Sequence, residues 1–214
     1  MVIDAQSGYL IHGEVVATNI SLEDYLEHYA ADHCEWVEGV VIRVSPSHYK
    51  HMKLIYFLYQ LLDTYFALRP IGQVVGQPFV MRLPAFPNRR REPDLIAVLK
   101  INPYELKETF MDGPADIVIE IVSEESAERD HGEKFIEYEK GGVPEYWIID
   151  PLRQETRFYR LHVDGRYRRQ TEDEHGDYQT PALPDLKLHV PTLWQNDLPG
   201  PAATARAVAE MLGE

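Results

Sequence analysis

Two carboxylates and one lysine stand out by type and setting. Asp94 sits in Arg91-Glu92-Pro93-Asp94-Leu95-Ile96-Ala97, and Glu120 in Asp116-Ile117-Val118-Ile119-Glu120-Ile121-Val122. Both lie in apolar runs of strand-forming residues, where a carboxylate is costly unless a cation or several hydrogen bonds compensate it. One divalent cation shared by two strand-borne acids, with Lys134 on the helix that follows, would do so. That layout can hydrolyse a phosphodiester bond. The spacing leaves a second reading open, in which each acid pairs with an arginine, Arg91 being the obvious partner.

Lys134 lies in the first turns of its helix, and Tyr138 shares its face one turn later. A lysine beside an activated water can stabilise or position it; a solvated surface lysine is the alternative. His48 and His51 open a long helix and are ligands or proton carriers by type. A satisfied or solvated ring is the alternative for each of them. Glu38 stands beside a strand bend at Gly39 and reads as either site-adjacent or structural. Phosphate loops, dinucleotide glycine motifs, Cys/His zinc spacings and the Gly-x-Ser-x-Gly elbow are missing from the sequence.

The formal net charge of −14 argues against non-specific coating of nucleic acid, which depends on Lys and Arg displacing counterions. A local basic patch remains compatible with it. Arginines cluster at Arg89, Arg90 and Arg91, and again at 153, 157, 160, 166, 168 and 169. They read as backbone contacts or as solvated hairpin charges. The single Cys34 rules out an intrachain disulfide and fits a reducing cytoplasm. With no long apolar run and no basic-then-apolar N-terminus, the expectation is a cytoplasmic protein with no membrane span.

The elements that must position these residues follow from periodicity. Residues 21–30 predict a helix capped by Ser21 with Asp24. Residues 35–44 predict a strand pair bent at Gly39, and Ser45-Pro46-Ser47 opens a helix that carries His51, Leu54, Ile55, Leu58, Leu62 and Tyr65 at helical spacing. Strands are expected over 73–83, 93–99 and 115–122, with a polar loop over 100–114. The strand 115–122 is apolar on both faces apart from its acids and is therefore expected in the centre of the sheet. A helix over 131–140 is expected to be capped by Asp130 with Glu133 and closed by Gly141-Gly142. A strand over 145–150 and a hairpin over 154–171 turning at Asp164-Gly165 complete the pattern. Residues 198–205 read as a loose linker before a short terminal helix. The fold class is α/β (α+β), a mixed β-sheet flanked by helices. The division expected is an N-terminal extension to 20, one domain over 21–195, and a tail over 196–214.

Six phrases recur together: Glu35-Trp36-Val37-Glu38-Gly39; Ser45-Pro46 followed by His51; Arg91-Glu92-Pro93-Asp94-Leu95; Ile119-Glu120-Ile121-Val122-Ser123; Arg129-Asp130-x-Gly132-Glu133-Lys134 with Tyr138; and Gly142-Val143-Pro144-Glu145-Tyr146-Trp147-Ile148-Ile149-Asp150-Pro151. In this order and at these separations they resemble the Uma-type restriction endonuclease family of the PD-(D/E)XK superfamily, over residues 20 to 195. The resemblance implies a restriction-endonuclease-like core and a DNA endonuclease. It implies Mg²⁺ or Mn²⁺ held by Asp94, Glu120 and the backbone carbonyl of Ile121. The superfamily lysine two residues after the acid is replaced here by Val122, and the resemblance moves its role to Lys134. Glu38 and His51 match family positions near the site. Glu124 stands where the family commonly has Pro. A homodimer is also implied. Fold alone does not establish activity, so two further readings stand: a catalytically silent nucleic-acid-binding module, and an interaction protein whose acidic surface binds basic partners.

Overall fold

The computed structural model describes residues 2–3, 10–11, 14–30, 32, 34–43, 49–123 and 126–214. The readings of Ser45-Pro46-Ser47, His48 and Glu124 lie outside the described residues. Strands β1 (Val2–Ile3) and β2 (Leu10–Ile11) pair antiparallel. After β3 (Glu14–Ala17) comes α1 (Leu22–His28), where Ser21 Oγ accepts the Asp24 N–H at 3.0 Å, the expected cap. The strand pair around Gly39 is the hairpin of β4 (Cys34–Val37) and β5 (Val40–Arg43). Its turn residues Glu38 and Gly39 have φ of +51° and +86°, the double left-handed geometry that suits a two-residue hairpin.

Helix α2 (Tyr49–Leu68) buries the stripe read from the sequence. The strand expected over 73–83 is two pieces, β6 (Gly72–Gly76) and β7 (Val80–Met81), separated at Pro78, which has no N–H for a ladder. Next come β8 (Arg89–Arg90) and β9 (Leu95–Leu99), then β10 (Phe110–Met111), which pairs parallel with β7 inside the segment expected to be a loop. Strand β11 (Ile117–Ile121) leads to a π-helical turn, Arg129–Glu133, that runs directly into α3 (Lys134–Gly141). The remaining strands are β12 (Glu145–Asp150), β13 (Glu155–Leu161), β14 (Tyr167–Gln170), β15 (Asp177–Gln179) and β16 (Lys187–His189). A 3₁₀ turn, Val190–Trp194, and α4 (Pro201–Leu212) end the chain.

The main sheet has the order β14-β13-β12-β11-β9-β6, with β11 and β12 parallel and every other neighbour antiparallel. This is the mixed sheet expected, with β11 inside it. Odd positions of β11 (Ile117, Ile119, Ile121) pack with Leu54, Leu58 and Leu62 of α2 and Val208 of α4. Even positions face the other way, Val118 joining Tyr138 of α3 and Tyr146 of β12. Period two therefore puts Glu120 on the α3 face. In β9, Leu95 and Ala97 pack toward α2, while Ile96 and Val98 pack with the α3 cluster, so Asp94 extends the same face as Glu120. A second, antiparallel sheet, β3-β5-β4-β8, lies beyond α3 and supplies charged partners to it.

Two local readings are corrected. The terminal helix begins at Pro201 rather than after residue 205, and it buries Thr204, Val208 and Leu212. Asp130 does not cap α3, because helical turns continue back through it. Its carboxylate meets Lys134 at 3.3 Å instead, and Glu133 reaches Arg89 and Arg91. A cap needs an extended residue outside the helix, and the π turn removes that position.

Candidate active site

Asp94 and Glu120 meet at one end of the main sheet. β9 and β11 pair Leu95 with Ile119, so the residue before Leu95 faces the end of β11. The Ile121 N–H donates to Asp94 Oδ2 at 2.7 Å, closing that geometry, and His51 Nε2 lies 3.2 Å from the same oxygen. Glu120 Oε1 accepts the Tyr138 hydroxyl at 2.8 Å and stands 3.0 Å from Lys134 Nζ. Lys134 and Tyr138 reach it together because they are one helical turn apart on the α3 face that packs on the sheet.

The protein thus holds one oxygen of each acid. Among the described residues, Asp94 Oδ1 and Glu120 Oε2 take part in no hydrogen bond. Both acids are buried, at 7% and 3% exposure. Burial first, then the neighbouring Asp130 and Asp94 charges, push the Glu120 carboxyl up to about 8 against the opposing pull of Lys134. An all-oxygen donor pair of this kind suits a hard cation such as Mg²⁺ or Mn²⁺. Among the described residues no group of three or more His, Cys, Asp and Glu is arranged to hold a metal.

Lys134 is 3% exposed. Burial alone would lower its pKa, but Glu120, Asp130 and Glu35 hold it charged and raise it. Glu35 Oε1 lies 3.6 Å from Lys134 Nζ, while Glu35 Oε2 takes the Arg91 guanidinium at 2.9 Å and lies 3.9 Å from Arg129. Burial opposes ionisation of Glu35, yet Lys134 and Arg91 outweigh it and hold the carboxyl at about 2. Arg91 Nε and Nη2 clasp the two oxygens of Glu137 at 2.8 and 2.7 Å. A run of alternating charge therefore links the second sheet to the paired acids: Glu137, Arg91, Glu35, Lys134, Glu120.

Of the residues singled out in the sequence, Asp94, Glu120, Ile121, Lys134, His51 and Tyr138 come together. Glu38 does not: it pairs at 3.4 Å with Arg89, which also holds Glu133 and Glu137. Arg89, Arg90 and Arg91 also sit elsewhere than expected. All three are buried, with Arg89 held by Glu133 and Glu137 and Arg90 turned back on the Pro87 carbonyl at 2.8 Å. Inward guanidiniums committed to carboxylates and carbonyls do not match the placement of a solvent-facing backbone clamp. Glu35 and Asp130 join the site without having been singled out. For Glu35 the signal was available, a charge inside the apolar strand Cys34-Glu35-Trp36-Val37.

The sequence profile of the Uma2 family, described as "Putative restriction endonuclease", matches residues 22–191. The chain belongs to the Uma2 family. No curated protein sequence matches it. Among solved structures it is similar to a "putative nuclease belonging to DUF820" from Anabaena variabilis ATCC 29413, with a TM-score of 0.67 and 18% identity over 82% of this chain and 97% of that one. At that identity the likeness shows a shared fold. Among the described residues no helix is long and apolar enough to cross a membrane.

Proposed function

We propose that this Uma2-family chain is a metal-dependent endonuclease that hydrolyses phosphodiester bonds of DNA. One observation carries the reading: two buried acids on one face at the end of adjacent strands, each with one oxygen held by the protein and one that accepts no hydrogen bond from a described residue, beside a buried lysine. Asp94 and Glu120, with the Ile121 carbonyl, are the residues to hold Mg²⁺ or Mn²⁺. Bound there, the ion would neutralise charge on the phosphate and acidify the attacking water. His51 and the Ile121 N–H orient Asp94. Tyr138 and Lys134 orient Glu120. The Lys134 ammonium offers fixed positive charge to an anionic transition state without reorganising, the condition under which such stabilisation is largest. A homodimer in the cytoplasm completes the reading, and sedimentation of the purified chain tests its assembly.

The experiment is calorimetric titration with Mn²⁺ and Mg²⁺, followed by a plasmid and oligonucleotide cleavage panel, on the wild type and Asp94→Asn. The expected result is metal binding and cleavage by the wild type, with both lost in the folded variant. Cleavage that survives Asp94→Asn would refute the assignment. A wild type that binds oligonucleotide and metal without cleaving would identify the catalytically silent module.

A further inference from the structure

The arginines that could have held a nucleic acid are largely neutralised by the protein itself. In the second cluster Arg153 pairs with Asp150, Arg157 with Glu155, Arg160 with Glu145, Arg166 with Glu139 and Arg168 with Asp164. Lys50 and Lys53 differ. Lys50 Nζ meets the Pro151 carbonyl and Lys53 Nζ the Asn196 carbonyl, each at 3.4 Å, Lys53 also lying over the Tyr49 ring, and neither forms an ion pair with a described residue. An ammonium has three donors, so both retain capacity and full charge in a chain of net −14.

Their position links them to the candidate active site. They lie on the turn of α2 that carries His51, whose ring touches Asp94. Pro151 follows the last residue of β12, and β12 pairs Ile149 with Ile121 of β11. Lys50 therefore stands at the same end of the sheet as Asp94 and Glu120, beyond the end of the neighbouring strand β12. Lys53 sits 5.0 Å from the ring centroid of Tyr49, which is 76% exposed. These three residues, with Leu193, Gln195 and Asn196, border a cavity of about 180 Å³ between α2 and the 3₁₀ turn.

We infer that this surface is the strand-binding platform of the enzyme: Lys50 and Lys53 take consecutive phosphates beside the scissile one, and an unpaired base stacks on Tyr49. The inference rests on the nuclease reading above. An aromatic face on a convex helix reaches a base only when that base is out of the duplex stack. The amides of Gln195 and Asn196 offer donors and acceptors to its edge. The platform thus selects single-stranded or frayed DNA over closed duplex.

The test is fluorescence anisotropy on the full chain in EDTA, with a labelled single-stranded 20-mer and a blunt hairpin duplex, across a salt series. Cleavage with Mn²⁺ is measured in parallel. Variants are Lys50→Ala/Lys53→Ala, Tyr49→Ala, Tyr49→Phe and Asp94→Asn, with exposed Lys107→Ala as control and thermal melts to verify folding. The double lysine variant is expected to lose about tenfold in single-strand affinity, and its log–log salt slope to fall by about 1.4, roughly 0.7 for each phosphate contact. Tyr49→Ala is expected to lose at least about fivefold with the slope unchanged, and Tyr49→Phe to restore it. Unchanged affinity and slope in the double variant, a wild type that binds neither probe, or equal binding of hairpin and single strand would overturn the platform. If the platform variants bind normally while Asp94→Asn abolishes cleavage, the platform fails and the nuclease reading stands. If they lose binding while Asp94→Asn still cleaves, the platform stands and the catalytic assignment fails.

Discussion

Replacing Arg91 by Met removes the guanidinium that ties α3 to the second sheet. Arg91 is 2% exposed and makes four contacts of 2.7–2.9 Å: two to Glu137, one to Glu133 and one to Glu35. Charge-assisted hydrogen bonds at about 1.5–3 kcal/mol each would sum to roughly 6–12 kcal/mol. That sum overstates the effect, because Arg91 itself no longer needs to be desolvated. Breaking a buried pair by removing one partner costs about 3–5 kcal/mol. The lower half of that range applies here, since Glu137 keeps Arg89 and Glu35 keeps Lys134 and Arg129. At about 2–4 °C per kcal/mol for a chain this long, Arg91→Met should melt about 6–16 °C below the wild type. Circular dichroism melts at neutral pH measure it. Arg91→Lys keeps the charge but not the two-pronged fork, so it should fall between the two. Arg91→Met with Glu137→Leu should recover part of the loss, because it removes the stranded carboxylate with its partner. A melt of Arg91→Met within about 2 °C of wild type would show that the network is not compensated as the geometry requires.

Glu35 predicts an acid limb. Its folded pKa of about 2 lies below the unfolded value of 4.5, so its contribution is complete above pH 4.5 and is lost as pH falls toward 2. That contribution is about 3 kcal/mol, and Glu35→Gln should flatten the loss in urea midpoints measured across this window. Lys134→Met strands Glu120, Asp130 and Glu35 around an apolar side chain, so its metal-free melt should fall by at least about 6 °C; an unchanged melt would place the ammonium outside the network. Tyr138→Phe deletes one donor to Glu120, so it should cost about 1 kcal/mol in stability. It should also slow cleavage without abolishing it, in contrast to Asp94→Asn.

The paired acids were legible in the sequence because a charge inside an apolar strand is its own signal. Local rules found the Ser21 cap, the Gly39 hairpin and the turn at Asp164-Gly165, since each depends only on residues within a few positions. Partnership was not legible. The spacing offered Arg91 as a partner for Asp94, and only the packing of α3 between two sheets decided where that guanidinium went. It turned Arg91 toward Glu137 and Glu35, and Lys134 toward Glu120. Asp130 looked like a cap because the π turn that absorbs it depends on tertiary contacts. Arg89, Arg90 and Arg91 looked like a surface patch because burial is a property of the assembled sheets, whereas Lys50 and Lys53 drew no notice until the fold left them without carboxylates. Periodicity fixes the face of an element on which a side chain lies; which charge it meets there is decided by chain segments far away in sequence.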